Sequence, residues 1–164
     1  MYLRRCAVVL GLVLAGGAGA DVAVPEALAV PPDMQLILSA HAEGAQIYVC
    51  DPAKGWSLKA PDAVLFDQKG GQIGKHYAGP SWELGDGSLI TGEVLAKDPG
   101  PDATAVPWLL LKVKTNSGKG VLAKAGLVQR IETKAGLAPK GDCKAGDETR
   151  SAYSATYRFF AVKS

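Results

Sequence analysis

The sequence predicts an all-β fold: a single-domain antiparallel β-sandwich, with a closed or partly open barrel as the alternative and at most one short helix. Three observations lead there. Short apolar or alternating runs recur roughly every 8–12 residues between Gly- and Pro-rich turn segments, the spacing of a sandwich or barrel. No stretch carries a sustained helical period framed by start and stop signals. The last segment alternates cleanly, with Tyr153, Ala155, Tyr157 and Phe159 on one face and Ser154, Thr156 and Arg158 on the other.

The N-terminus reads as a signal peptide over 1–20. Arg4 and Arg5 form a basic region, 7–14 an apolar run, and Ala18-Gly19-Ala20 a small-residue cleavage pattern. The apolar run is too short to span a membrane, which takes roughly 20 residues, so no transmembrane span is expected. Cys6 precedes the run, the wrong place for a lipoprotein acceptor. Cleavage after Ala20 predicts a secreted or periplasmic protein starting at Asp21. Residues 21–33 read as an extended Pro/Ala-rich lead-in, and 34–164 as a single β-rich domain.

Within that domain, strands are expected at 35–40 and 46–50, joined across Ala42-Glu43-Gly44-Ala45. Others follow at 56–59 and 64–67, separated by Ala60-Pro61-Asp62, and at 73–77. Asp86-Gly87 is a hairpin-turn signal. The longest candidates are 88–96 and 106–115, flanking the loop Lys97-Asp98-Pro99-Gly100-Pro101-Asp102. Trp108-Leu109-Leu110-Leu111 is apolar on both faces, which predicts a strand covered on both sides. The glycine-bounded 120–126 can form one or two helical turns, 127–133 alternates less cleanly, and 153–162 is the terminal strand.

Processing changes the balance of the chain. Losing Cys6 leaves Cys50 and Cys143, which in an exported protein are most simply a disulfide; a loop of that length contributes about 4–5 kcal/mol by the chain-entropy argument. Losing Arg4 and Arg5 removes the formal charge of +2. The basic stripe of a nucleic-acid binder is absent, so no nucleic-acid partner is expected.

The chemistry-bearing residues gather in Gly74-Lys75-His76-Tyr77-Ala78-Gly79-Pro80-Ser81-Trp82-Glu83, followed by Asp86. His76 and Glu83 are the candidate catalytic pair, as base and orienting partner or acid. In a continuous strand positions 76 and 83 face oppositely, so a shared face requires the Gly79-Pro80 break to turn one of them. Tyr77, Trp82, Asp86 and Arg130 are the candidate binding residues. Trp82 is expected at a pocket rim or edge and Trp108 in the core. Arg130, in a strand pattern, is expected to pair with a carboxylate such as Glu83 or Asp62. With only His41 and His76, a histidine-rich metal site is excluded. No Gly-x-Ser-x-Gly elbow or phosphate loop is present, and no cofactor is expected.

Several of these segments also coincide with one family. Gln46-Ile47-Tyr48-Val49-Cys50, Trp56-Ser57-Leu58-Lys59-Ala60-Pro61-Asp62-Ala63 and the 74–83 stretch with Asp86-Gly87-Ser88 come in its order. Val106-Pro107-Trp108-Leu109-Leu110-Leu111-Lys112, Val128-Gln129-Arg130-Ile131, Ala138-Pro139, Cys143 and the aromatic 153–160 follow. The chain resembles the domain of unknown function 3455 family of exported bacterial and fungal proteins over nearly its whole mature length. The resemblance implies an exported single-domain protein with no established activity, and it supplies no catalytic residues. Both cysteines lie inside matching motifs, which supports their pairing. One departure is Lys134-Ala135-Gly136, where a Gly-Gly pair is expected.

The function expected from all of this is a non-catalytic binding or structural module of the cell envelope or exterior, with a small molecule or glycan as the open partner class. The alternatives are an extracellular hydrolase or lyase using His76 and Glu83, with Tyr77 or Arg130 as charge stabiliser, or a metal-binding protein at the same place.

Overall fold

The computed structural model describes residues 22–164, so the signal peptide expected over 1–20 lies outside the described residues. Eight antiparallel strands make one sheet: β1 (Met34–Asp51), β2 (Gly55–Phe66), β3 (Gln72–Tyr77), β4 (Ser81–Leu84), β5 (Leu89–Asp98), β6 (Trp108–Ser117), β7 (Leu127–Ala135) and β8 (Glu148–Val162). Each pairs with the next, and β8 returns to β1 from Met34 opposite Val162 to Val49 opposite Glu148, with one bulge between Leu36 and Leu38. The sheet therefore closes in a ring, and the all-β antiparallel expectation holds. Two single 3-10 turns, Glu26–Leu28 and Val121–Lys124, are the helical elements among the described residues, the second within the glycine-bounded segment.

Two expected turns prove to be strand interiors. β1 runs unbroken through Gly44, and β2 through Pro61, which sits opposite Gln46. Gly44 marks close approach and not a bend: a Cβ there would lie 2.1 Å from the Asp62 carbonyl oxygen of the neighbouring strand. Long-range pairing overrides both local break signals.

Alternation decides what fills the ring. Ala40, Ala42, Ala63 and Ala155 leave room on one wall for Trp82, Tyr157 and Phe159, and all are buried in one cluster. The β6 strand is covered on both faces, as its sequence predicts. Leu109 and Leu111 pack with the interior cluster, while Trp108 and Leu110 join Ile131 and Leu28 in a second cluster on the outer face. The segment expected as an extended lead-in forms that cover. Val22, Val24 and Val30 pack there beside Leu28, and Gln129 Nε2 donates to the Leu28 carbonyl at 2.7 Å.

In an up-and-down ring, successive connections alternate between the two ends. One end carries the β2–β3, β4–β5 and β6–β7 connections. There the Asp86 carboxylate accepts hydrogen bonds from Ser88 N (2.9 Å), Ser88 Oγ (2.6 Å) and Val121 N (2.7 Å), holding the second 3-10 turn so that Leu122 plugs the interior. These bonds keep the Asp86 carboxyl below its ordinary pKa. The other end carries the β1–β2, β3–β4, β5–β6 and β7–β8 connections. Cys50 is disulfide-bonded to Cys143 there, 93 positions on, with a Cα–Cα distance of 5.9 Å, tying the end of β1 to the β7–β8 loop.

Candidate functional site

The chemistry-rich 74–83 stretch folds as the β3–β4 hairpin, turning at Ala78-Gly79-Pro80 with a cis Gly79–Pro80 bond. Gly79 has φ +140°, where a side chain is strained, and a Cβ would lie 2.4 Å from Ser81 Oγ. The register sets His76 opposite Trp82, Lys75 opposite Glu83 and Tyr77 opposite Ser81. Cross-strand partners share a face, so the hairpin preserves the alternation that a break was expected to overturn.

His76 and Glu83 consequently point to opposite faces. His76 is 2 % exposed, inside the ring. Its ring stacks on Trp82 with centroids 4.6 Å apart, and lies 4.9 Å from that of Tyr157. Nδ1–H donates to the Ser81 carbonyl at 2.8 Å. Burial pushes the imidazole pKa down to about 4; the Ser81 bond opposes that shift and the nearby Arg130 charge adds to it. A carbonyl can only accept, so Nδ1 carries the proton, and in the neutral ring Nε2 is an acceptor. Glu83 lies outside. It accepts from the Tyr77 hydroxyl at 2.9 Å and pairs with Lys75 at 3.3 Å; the Tyr77 bond above all holds its carboxyl down and pushes the phenol up. The structure does not bring the two candidate catalytic residues together.

The other candidates separate in the same way. Trp82, expected at a rim or edge, is fully buried. Its neighbours on the sheet are His76 and Ile90, and glycine at 92 leaves space for the indole, since a Cβ there would lie 3.1 Å from Trp82 Cζ3. Tyr77 is half-buried on the outer face with Glu83. Asp86 belongs to the plugged end. Arg130 alone joins His76 and Trp82.

Arg130 is 8 % exposed, at the cavity end of β7. The expected carboxylate partner is not there: Glu83 is with Lys75, and Asp62 pairs with Arg150 at 2.7 Å. Instead Nε and Nη2 donate to the Pro107 carbonyl at 3.1 and 2.8 Å. The guanidinium sits among aromatic groups. Burial raises the phenols of Tyr48, Tyr153 and Tyr157, and the Arg130 charge opposes that rise in each. Among the described residues, no acidic side chain lies within ion-pair distance of Arg130, and no cluster of three or more His, Cys, Asp or Glu could hold a metal ion.

These residues wall a cavity of about 290 Å³. Every strand contributes to it, from Gln46 on β1 and His76 on β3 to Arg130 on β7 and Tyr157 on β8, so it lies inside the ring. A second cavity of about 540 Å³ adjoins it, sharing Gln46, Leu58, Val94, Leu109 and Arg130. An eight-stranded closed sheet has an interior wide enough to be filled by side chains or to hold one small ligand. Here one end is filled and the other is not. Two buried nitrogens of the wall, Gln46 Nε2 and Trp82 Nε1, have no hydrogen-bond partner. Sequence reasoning missed Gln46 and Tyr157 as site residues. The available signal was alternation: Gln46 falls on the same face as Tyr48 and Cys50, and Tyr157 on the aromatic face of the last strand.

The family described as "Protein of unknown function (DUF3455)" matches residues 31–161. The chain belongs to this family. No curated protein and no solved structure matches it. The match takes in every cavity residue together with Cys50 and Cys143.

Proposed function

We propose that the protein is an exported, non-catalytic binding module that takes a small molecule into the interior of its ring. The observation that carries this reading is the cavity of about 290 Å³ walled by all eight strands and containing buried polar groups without partners. Pockets for small ligands are mostly apolar with a few convergent polar groups, and this wall fits that pattern. Binding is favoured over hydrolysis or elimination because His76 is separated from Glu83 and the cavity wall brings it no carboxylate in exchange. Support for export comes from the basic-apolar-small pattern over 1–20 and from the Cys50–Cys143 bond, which suits an oxidising compartment. Secretion or a periplasmic location follows as part of the same proposal.

Tryptophan fluorescence provides the test, because Trp82 is part of the wall. The exported protein is titrated with a panel of neutral and acidic bicyclic aromatic fragments. Saturable binding of at least one fragment is expected, abolished in Leu109→Trp, where an indole occupies the cavity. A folded parent protein that binds none of the panel overturns the reading.

A further inference from the structure

The cavity wall holds an imbalance of hydrogen-bonding capacity. Two of the five N–H bonds of Arg130 go to the Pro107 carbonyl. The charge itself has no counter-ion among the described residues, although Lys59, Lys75, Lys114 and Arg150, all at the surface, each have a carboxylate partner. A buried guanidinium without an anion is costly, and so is a buried donor left unpaired. Gln46, 1 % exposed, and fully buried Trp82 add two such donors, Nε2 and Nε1. His76 is neutral, so it adds no second positive charge beside Arg130, and its Nε2 is an acceptor.

The mouth has the opposite character. Leu58, Val94, Leu95 and Leu137 are all exposed and line the two adjoining cavities toward solvent. The arrangement is a cation and free donors inside, with apolar side chains at the rim.

We infer that the ligand is an organic carboxylate with an apolar body, its carboxylate seated against Arg130 and its apolar part against the Leu58–Val94 rim. The inference rests on the binding reading above and names the chemical class that site takes. A carboxylate accepts only, offers several lone pairs, and matches a guanidinium fork. It would meet the Arg130 charge, which a neutral alcohol or amide does not, and would draw the unpartnered Gln46 donor of the same wall toward its second oxygen. The rim adds apolar burial that an inorganic anion cannot use.

Calorimetric titration of the exported protein with 1-naphthaleneacetate, 2-(1-naphthyl)ethanol and inorganic phosphate separates the cases. The acid is expected to bind roughly 10- to 100-fold more tightly than the alcohol, the range for a charge-assisted hydrogen bond. Phosphate is expected to bind far more weakly than the acid. Arg130→Gln should abolish the preference, bringing the ratio of acid to alcohol affinity to about one. Because that change also removes a bond to Pro107, Gln46→Leu provides an independent arm and should reduce the preference for the acid severalfold. Equal binding of acid and alcohol by the parent overturns the carboxylate inference and leaves the binding reading standing. Phosphate binding as tightly as the acid overturns the apolar-body part. Binding of none of the three, while another fragment of the panel binds, overturns this inference alone. Failure of the whole panel overturns both readings.

Discussion

The two ends of the ring are built from the same eight strands and solve opposite problems. At the plugged end, Leu65, Leu84, Ile90 and Leu122 fill the interior, and Asp86 locks the 3-10 turn that carries Leu122. There the buried Ser88 donates to the Asp86 carboxylate, which also accepts from the Val121 N–H, so the polar groups of this end have partners. At the cavity end, Gln46, Arg130 and His76 point inward, two buried nitrogens go unpaired, and space remains. Nothing about closing a sheet requires that second arrangement. The difference teaches where the fold is stabilised and where it gives up stability to keep a polar interior.

The comparison can be broken most sharply at Phe159. This side chain is fully buried and packs edge-on to Trp82 with centroids 6.1 Å apart. Phe159→Ala should lose about 3–5 kcal/mol of stability in urea or thermal unfolding. A loss below about 1 kcal/mol would mean that the filled side of the ring is not where stability resides.

The next effect is set by His76 and is read by pH. The unfolded chain takes a proton on this imidazole near pH 6.5, and the folded protein refuses it until about 4. Between those values the unfolded state binds more protons, so stability falls as pH drops from 6.5 to 4 and is fully present above 6.5. The loss over that window is about 3 kcal/mol. His76→Gln should flatten it, which unfolding curves at pH 7 and pH 4.5 will show; an unchanged slope would place the acid sensitivity elsewhere.

The smallest effect sharpens the contrast. Gln46→Leu replaces an unpartnered buried amide with an apolar group of similar size. It should leave stability unchanged or raise it by up to about 1 kcal/mol. A clear destabilisation in the same urea series would show that Gln46 holds the wall together and does not merely face the cavity.

Much of the fold was legible in the residues. The double-sided apolar pattern of Trp108 to Leu111, the aromatic face of β8, the Asp86-Gly87 turn and the Cys50–Cys143 pair were each readable because local pattern and tertiary role agree. Gly44 and Pro61 were misleading for the reverse reason. Each carries a local break signal inside a strand whose pairing is set by residues elsewhere in the chain. The candidate site divided along the same line. Arg130 stood out as a charge in a strand, and Tyr157 sits opposite it on β8, but Gln46 and His76 come from β1 and β3, and only ring closure brings them round to it. His76 and Glu83 looked like a pair because they are close in sequence, while the parity of a hairpin sends them apart. The cover formed by Val22 to Val30 was hidden because its few apolar residues have no period of their own.

Ring closure by the first and last strands has a consequence for how the chain acquires its structure. The β1–β8 seam joins residues distant in sequence, from Val49 with Glu148 out to Met34 with Val162. Such non-local pairing slows folding, and it means that no N-terminal portion can be finished early. A chain stopped before β8 would leave β1 and β7 as two open edges, each offering unpaired N–H and C=O groups to a neighbouring molecule. Truncated or nicked products are therefore expected to aggregate and not to persist as smaller folded versions of the protein.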